Sequence, residues 1–133
     1  MPTIRPNLLF VYGTLRKGFG NHYFLQGAAE KGNGEIEGIL YASGMLPMIA
    51  EGKGVVKGEV YEIPTSEMWY DLDALEGHPT WYVRQVVEAI MEDGTSQAVW
   101  AYFMRPSSLA NERVKKVPSG DYAILRQEWA KES

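Results

Sequence analysis

Short apolar runs separated by glycine-punctuated polar stretches cover most of the chain, and the runs read mainly as strands. Leu8-Leu9-Phe10-Val11-Tyr12 is continuously apolar, the pattern of a strand covered on both faces. Glu35-Ile36-Glu37-Gly38-Ile39-Leu40-Tyr41 opens with polar–apolar alternation, and Val55–Ile63 alternates at Val56, Gly58 and Val60. Tyr82–Met91 is β-rich, Asp93-Gly94 supplies a hairpin turn, and Ser96–Met104 returns as the partner strand. Gly38, Gly54 and Gly58, inside or beside strands, predict bulges or sharp bends of a closed or strongly coiled sheet.

Two helices follow from the helical period. In Ser66–Glu76, Met68, Leu72 and Leu75 form one apolar face, Pro64-Thr65-Ser66 supplies the cap, and Gly77 suits the left-handed residue that ends a helix. In the C-terminal segment Ser119 is the expected cap, Tyr122, Leu125 and Trp129 recur at helical spacing, and Trp129 is expected to dock the helix. A short helical piece is expected near Asn21–Gly27. Lys31–Gly34, Gly44–Lys53 and Pro106–Pro118 read as loops. With no long linker and no internal repeat, residues 1–133 are expected to form a single α+β domain.

Composition narrows the chemistry. Lys and Arg number 13 against 17 Asp and Glu, a net charge of −4. That balance argues against a nucleic-acid partner. Cysteine is absent, which excludes a disulfide scaffold, a thiolate metal site and a cysteine nucleophile, and the only histidines are His22 and His78. There is no membrane-length apolar run and no secretory leader pattern, so the expected setting is cytoplasmic, away from membranes. Catalysis, if present, falls to carboxylates, hydroxyls and backbone groups.

Glu76 is the carboxylate in an unusual place. It lies beside Leu72 and Trp69 at the edge of the apolar helix face, and in the last turn, where the helix dipole disfavours negative charge by a few tenths to ~1 kcal/mol. Desolvation and the dipole both raise its pKa toward neutrality, as suits a general acid/base. The competing assignment is a glutamate that flanks the helix end in solvent or pairs with Arg84. Asp71 and Asp73 read as the solvated face of the same helix. Tyr12-Gly13-Thr14-Leu15-Arg16, directly after the first strand, is a glycine turn whose successive N–H groups can form an anion nest, with Arg16 as a further attraction. Its spacing fits neither a phosphate loop nor a dinucleotide fingerprint. Trp81, Trp100 and Tyr102 read as core or pocket wall, and His78 as a loop residue.

Together, in this order, these blocks resemble the gamma-glutamylcyclotransferase family. The residues that carry the resemblance are Val11-Tyr12-Gly13-Thr14-Leu15-Arg16 with Asn21-His22, Gly38-Ile39-Leu40-Tyr41, the Gly44–Pro47 stretch, Val56-Lys57-Gly58-Glu59-Val60-Tyr61, and Leu72-Asp73-Ala74-Leu75-Glu76-Gly77 with Tyr82 and Arg84 behind. The resemblance covers residues 8 to 104, and the C-terminal quarter adds Tyr122. It implies an α+β fold with a coiled mixed sheet forming a small barrel-like core and a few flanking helices. It implies cleavage of a gamma-glutamyl amide by attack of the glutamyl α-amine on its own γ-carbonyl, releasing 5-oxoproline and an amine. Glu76 would carry the proton, and Tyr12, Gly13, Thr14, Leu15, Arg16, Tyr82 and Tyr122 would bind substrate. No metal or cofactor is implied; the expected partner is the small gamma-glutamyl substrate, and the expected state is a monomer or weak homodimer. Two alternatives stay open on the same fold: a non-catalytic binder of small carboxylates, and a protein-interaction domain.

Overall fold

The structure is a computed structural model that describes residues 6–110 and 112–132. Its strands are β1 (Leu8–Val11), β2 (Ala29–Ser43), β3 (Leu46–Glu62), β4 (Tyr82–Met91), β5 (Ser96–Met104) and β6 (Val114–Lys116); its α-helices are α1 (Ser66–Glu76) and α2 (Tyr122–Glu132). The sheet order is β3-β1-β5-β4-β2, and β2 pairs back onto β3, closing a five-stranded barrel to which β6 is added on β2. β1 runs parallel to β5, with Leu9 opposite Trp100, and antiparallel to β3, with Phe10 opposite Val60. The hairpins β2–β3 and β4–β5 supply most of the remaining pairing.

Closure explains the apolar run at the start. Phe10 faces one buried cluster with Ile36, Val56, Val60, Val99 and Ala101, while Leu9 and Val11 face a second with Tyr61, Tyr102 and Leu72. Because α1 packs on the second cluster, the first fills the barrel interior. A strand between an interior and a helix has no solvent face, so alternation disappears. Gly58 is dictated by close approach: a Cβ there would overlap the Val11 carbonyl and the Phe10 ring. The register slips between Glu37 and Ile39, a bulge at Gly38 as its place in the strand predicted.

β2 and β3 are longer than the sequence pattern indicates. Lys31–Gly34 belongs to β2, and Gly44–Lys53 is a tight turn at Gly44 (φ +60°) followed by the first half of β3. Lys31–Gly34 carries polar or absent side chains, and Leu46–Ala50 is a short apolar run with Met48 and Ile49 buried, so neither stretch shows polar–apolar alternation. Pro106–Pro118 holds a 3-10 turn, Pro106–Ala110, and β6. The helical piece after Asn21 is a 3-10 turn, His22–Leu25, that buries Leu25.

Helix ends place the site. At the start of α1 the Thr65 hydroxyl accepts from the Met68 N–H at 3.1 Å. At its end Gly77 is left-handed (φ 66°), with Gly77 N–H on the Ala74 carbonyl and His78 N–H on the Asp73 carbonyl. Thr65→Ala is expected to lower stability by about 1 kcal/mol in chemical denaturation, leaving the site geometry unchanged. In α2 the cap is Asp121 rather than Ser119. The Ala123 N–H donates to Asp121 Oδ1 at 2.9 Å, while Ser119 Oγ accepts from the Asp121 N–H. Left-handed Gly120 (φ +68°), pressed against the Val55 carbonyl, delays the helix start. Tyr122, fully buried, docks the helix with Leu125, whereas Trp129 is 42% exposed.

Candidate active site

A cavity of about 140 Å³ lies between the Tyr12–Leu15 turn and the C-terminal end of α1, with Pro47, Tyr82 and Tyr102 on its walls. Larger surface grooves, such as the one of about 540 Å³ beside Lys31–Asn33, lie away from Glu76. Glu76 is partly buried at the end of α1, and loss of solvent pushes its carboxyl up to about 7 from an ordinary 4.5. Among the described residues no cation or donor is bonded to it. The expected alternative pairing with Arg84 is not formed, because Arg84 is engaged by Asp73.

The cavity walls are held by hydroxyls. Tyr12 Oη donates to the Tyr102 carbonyl at 2.7 Å, and Tyr82 Oη donates to the Pro47 carbonyl at 2.8 Å. Burial is the main cause that holds both phenols well above the usual tyrosine pKa; Tyr82 and Glu76 add to it for Tyr12, and Glu76 for Tyr82. Both therefore stay neutral beside the carboxyl.

The glycine turn is tied back through its carbonyls. Arg16 N–H bonds the Gly13 carbonyl at 3.0 Å, Asn21 N–H bonds the Thr14 carbonyl at 3.0 Å, and His22 Nδ1 lies 2.9 Å from the Leu15 carbonyl. A carbonyl only accepts, so His22 Nδ1 carries a proton there. Asn21 Nδ2 also donates to Thr14 Oγ1 at 2.9 Å. Among the described residues the backbone N–H groups of Gly13, Thr14 and Leu15 have no protein acceptor. Gly13 is required by contact rather than by an unusual φ, since a Cβ would overlap the Pro47 ring across the cavity.

Tyr12, Gly13, Thr14, Leu15, Glu76 and Tyr82 thus share one cavity. Arg16 and Tyr122 do not line it. The Arg16 guanidinium is bonded to Glu59 at 3.3 Å and Asp121 at 2.8 Å, which ties the turn to β3 and to the start of α2. Buried Glu59 also accepts from the Lys17 N–H and the Tyr61 hydroxyl. Tyr122 closes one end of the barrel, its hydroxyl donating to the Met45 carbonyl at 2.6 Å. Tyr102 is a pocket wall, as expected. Trp81 is neither core nor wall: it is 64% exposed, folded against Gly77.

Asp73 was expected on the solvated face and is instead part of the site's support. It accepts from Arg84 Nε at 3.0 Å, Arg84 Nη2 at 3.1 Å and the Tyr102 hydroxyl at 2.6 Å. The Arg84 guanidinium is stacked between Trp69 and Trp100, 4.4 Å from each ring. The Arg84 N–H donates to His78 Nδ1 at 3.1 Å. The only sequence signal for Asp73 was its position three residues before Glu76, which puts the two on one helix face.

The sequence profile of a family described as gamma-glutamyl cyclotransferase, AIG2-like, matches residues 9–124. The chain belongs to this family. A Methanocaldococcus jannaschii protein provisionally named a gamma-glutamylcyclotransferase is 36% identical over 123 residues, covering 89% of this chain and 97% of that one. The Escherichia coli K12 gamma-glutamylcyclotransferase family protein YtfP is 33% identical over 116 residues, 86% of this chain and 94% of its own length. The crystal structure of PH0828 from Pyrococcus horikoshii superposes with a TM-score of 0.70 at 32% identity, over 93% of this chain and 96% of that one. The α+β barrel described above is thus the gamma-glutamyl cyclotransferase fold, and the names of these relatives support an enzyme of that family. No helix among the described residues is long and apolar enough to cross a membrane.

The raised carboxyl also sets a stability trend. The folded form of Glu76 holds its proton up to about pH 7, the unfolded form only to about 4.5. Its contribution is therefore fully present below 4.5 and is lost as pH rises through 7. Glu76→Gln, which mimics the protonated carboxyl, is expected to match the parent in acid and to exceed it by up to about 3 kcal/mol above neutrality. Denaturant midpoints across that range check this, and parallel curves would contradict it.

Proposed function

We propose that the protein cleaves a gamma-glutamyl amide by intramolecular cyclisation. The observation that carries this reading is Glu76, a carboxyl with no partner among the described residues and a pKa raised to about 7, facing an N–H-bearing glycine turn across a small cavity. The glutamyl α-amine attacks its own γ-carbonyl carbon; a lactam C–N bond forms and the bond to the leaving nitrogen breaks. Glu76 accepts the proton that the α-nitrogen loses and returns it to the leaving nitrogen, so 5-oxoproline and a neutral amine depart and the carboxylate is regenerated. A base of near-neutral pKa is matched to this two-way transfer.

The N–H groups of Gly13, Thr14 and Leu15 offer donors for oxygen that gains negative charge as the carbonyl is attacked. Because nucleophile and electrophile belong to one molecule, the remaining task is to hold the glutamyl chain folded, which the rigid walls of Tyr12, Tyr82 and Tyr102 suit. Arg16 acts on substrate only by anchoring the turn, and Tyr122 only by closing the barrel.

Glutathione, gamma-glutamyl amino acids, gamma-glutamyl-lysine and gamma-glutamyl antibiotics form the test panel. Release of 5-oxoproline from at least one of them is the expected result. Heat of binding in calorimetry with no 5-oxoproline from any would favour a small-carboxylate binder instead.

A further inference from the structure

Among the described residues three Lys or Arg side chains belong to residues that are partly buried: Arg16, Arg84 and Arg126. Arg16 and Arg84 are each paired with a carboxylate. Arg126, on α2, makes no ion pair with any described residue. Its guanidinium lies over the Phe19 and Tyr122 rings, 5.3 Å and 5.7 Å from their centroids, and Nη1 donates to the Tyr122 hydroxyl at 3.1 Å. Its Nε and Nη2 have no acceptor among the described residues. These are the two nitrogens with which Arg84 grips Asp73. A guanidinium held on ring faces with that edge unused is suited to a carboxylate.

Arg126 does not line the cavity, but its contacts place it beside the mouth. Of the lining residues only Leu46 is exposed, at 54%, so the cavity opens at the tip of the β2–β3 hairpin. Leu46 follows Met45, whose carbonyl accepts from the same Tyr122 hydroxyl that Arg126 bonds. Phe19, whose ring carries the guanidinium, lies two residues before Asn21, which also lines the cavity. The enclosed volume, about 140 Å³, is well below the roughly 300–1,000 Å³ of a pocket that holds a whole drug-sized ligand. A glutamyl group held there leaves the amine side of its amide to extend through the mouth. The cation past the end of α1, Arg105, is exposed and spends both Nε and Nη2 on the Pro79 carbonyl. We propose that Arg126 is a specificity determinant that receives a carboxylate carried by the leaving amine, so that gamma-glutamyl amino acids are preferred over gamma-glutamyl derivatives of simple amines. The proposal rests on the cyclisation reading for which end of the substrate lies at the mouth.

The test pairs gamma-glutamylalanine with gamma-glutamylethylamide, which differ only in that carboxylate. 5-Oxoproline release gives kcat/KM for each, and calorimetry in the Glu76→Gln background gives each affinity with turnover slowed. The parent is expected to favour the alanine compound by about 10–100-fold, the usual worth of hydrogen bonds to a charged group. Arg126→Met, which keeps an apolar chain against the rings, is expected to abolish that preference by weakening the alanine compound alone. Arg126→Lys should restore part of it, because the charge returns without the planar fork. Arg105→Met should leave it unchanged. Equal losses for both compounds in Arg126→Met would assign the residue to the fold and overturn the proposal. A parent without the preference, or one that loses it in Arg105→Met instead, would overturn it too. An Arg126-dependent preference in binding, with no 5-oxoproline from either compound, would retain the carboxylate site and reject the reaction.

Discussion

Glu76→Gln is expected to lower the rate of 5-oxoproline release by about 10²–10⁴-fold, the usual contribution of a positioned general base. Glutamine keeps the volume and an acceptor oxygen but cannot take a proton from the attacking amine at neutral pH. The folded structure should survive, since Glu76 has no partner among the described residues and replacing it removes a buried ionisable group. Substrate affinity should change little, because the turn at Gly13–Leu15 and the tyrosine walls are untouched. The parent enzyme's kcat/KM should rise with pH through about 7, the value set by burial of this carboxyl. A variant with parent-like turnover would remove Glu76 from the proposed chemistry and leave the cavity as a binding site.

Arg84→Met is expected to cause the largest loss of stability, about 2–4 kcal/mol. The substitution removes a bidentate partner from Asp73, whose side chain is only 23% exposed, and the stacking of a cation between Trp69 and Trp100. The methionine fills part of the slot between the rings but leaves the Asp73 charge with only the Tyr102 hydroxyl. Adding Asp73→Asn should recover part of the loss, because a neutral pair no longer strands a partly buried charge. Denaturation of the two single variants and the double variant measures this directly. If the double variant is as unstable as the sum of the singles, the pair is not coupled.

How far such features can be read from sequence depends on whether the cause is local. The β1 run, the α1 face at Met68, Leu72 and Leu75, and the Thr65 and Gly77 caps are short-range patterns, and each appears in the structure in place. The ends of β2 and β3 are not local. Gly32, Asn33 and Gly34 pair with Val60, Glu59 and Gly58 because a long hairpin brings their backbones together, with no side-chain pattern to announce it. The same contrast holds at the cavity. The burial of Glu76 was legible because its apolar neighbours lie on its own helix. The engagement of Asp73 was not, because its cation comes from β4 and its hydroxyl donor from β5. Arg16 lies outside the cavity for the same reason: Glu59 and Asp121, which hold its guanidinium, are far along the chain. Tyr122 likewise lies outside the cavity, its hydroxyl on the carbonyl of distant Met45.

The proposed cyclisation consumes no water, and mass spectrometry of the product formed in water labelled with heavy oxygen tests this. Closure of the lactam uses only the substrate's own γ-carbonyl oxygen. The expected product is 5-oxoproline with no label, released together with the leaving amine. Glutamate that has gained one labelled oxygen would show attack by water on the γ-carbonyl, and would contradict intramolecular attack at this site.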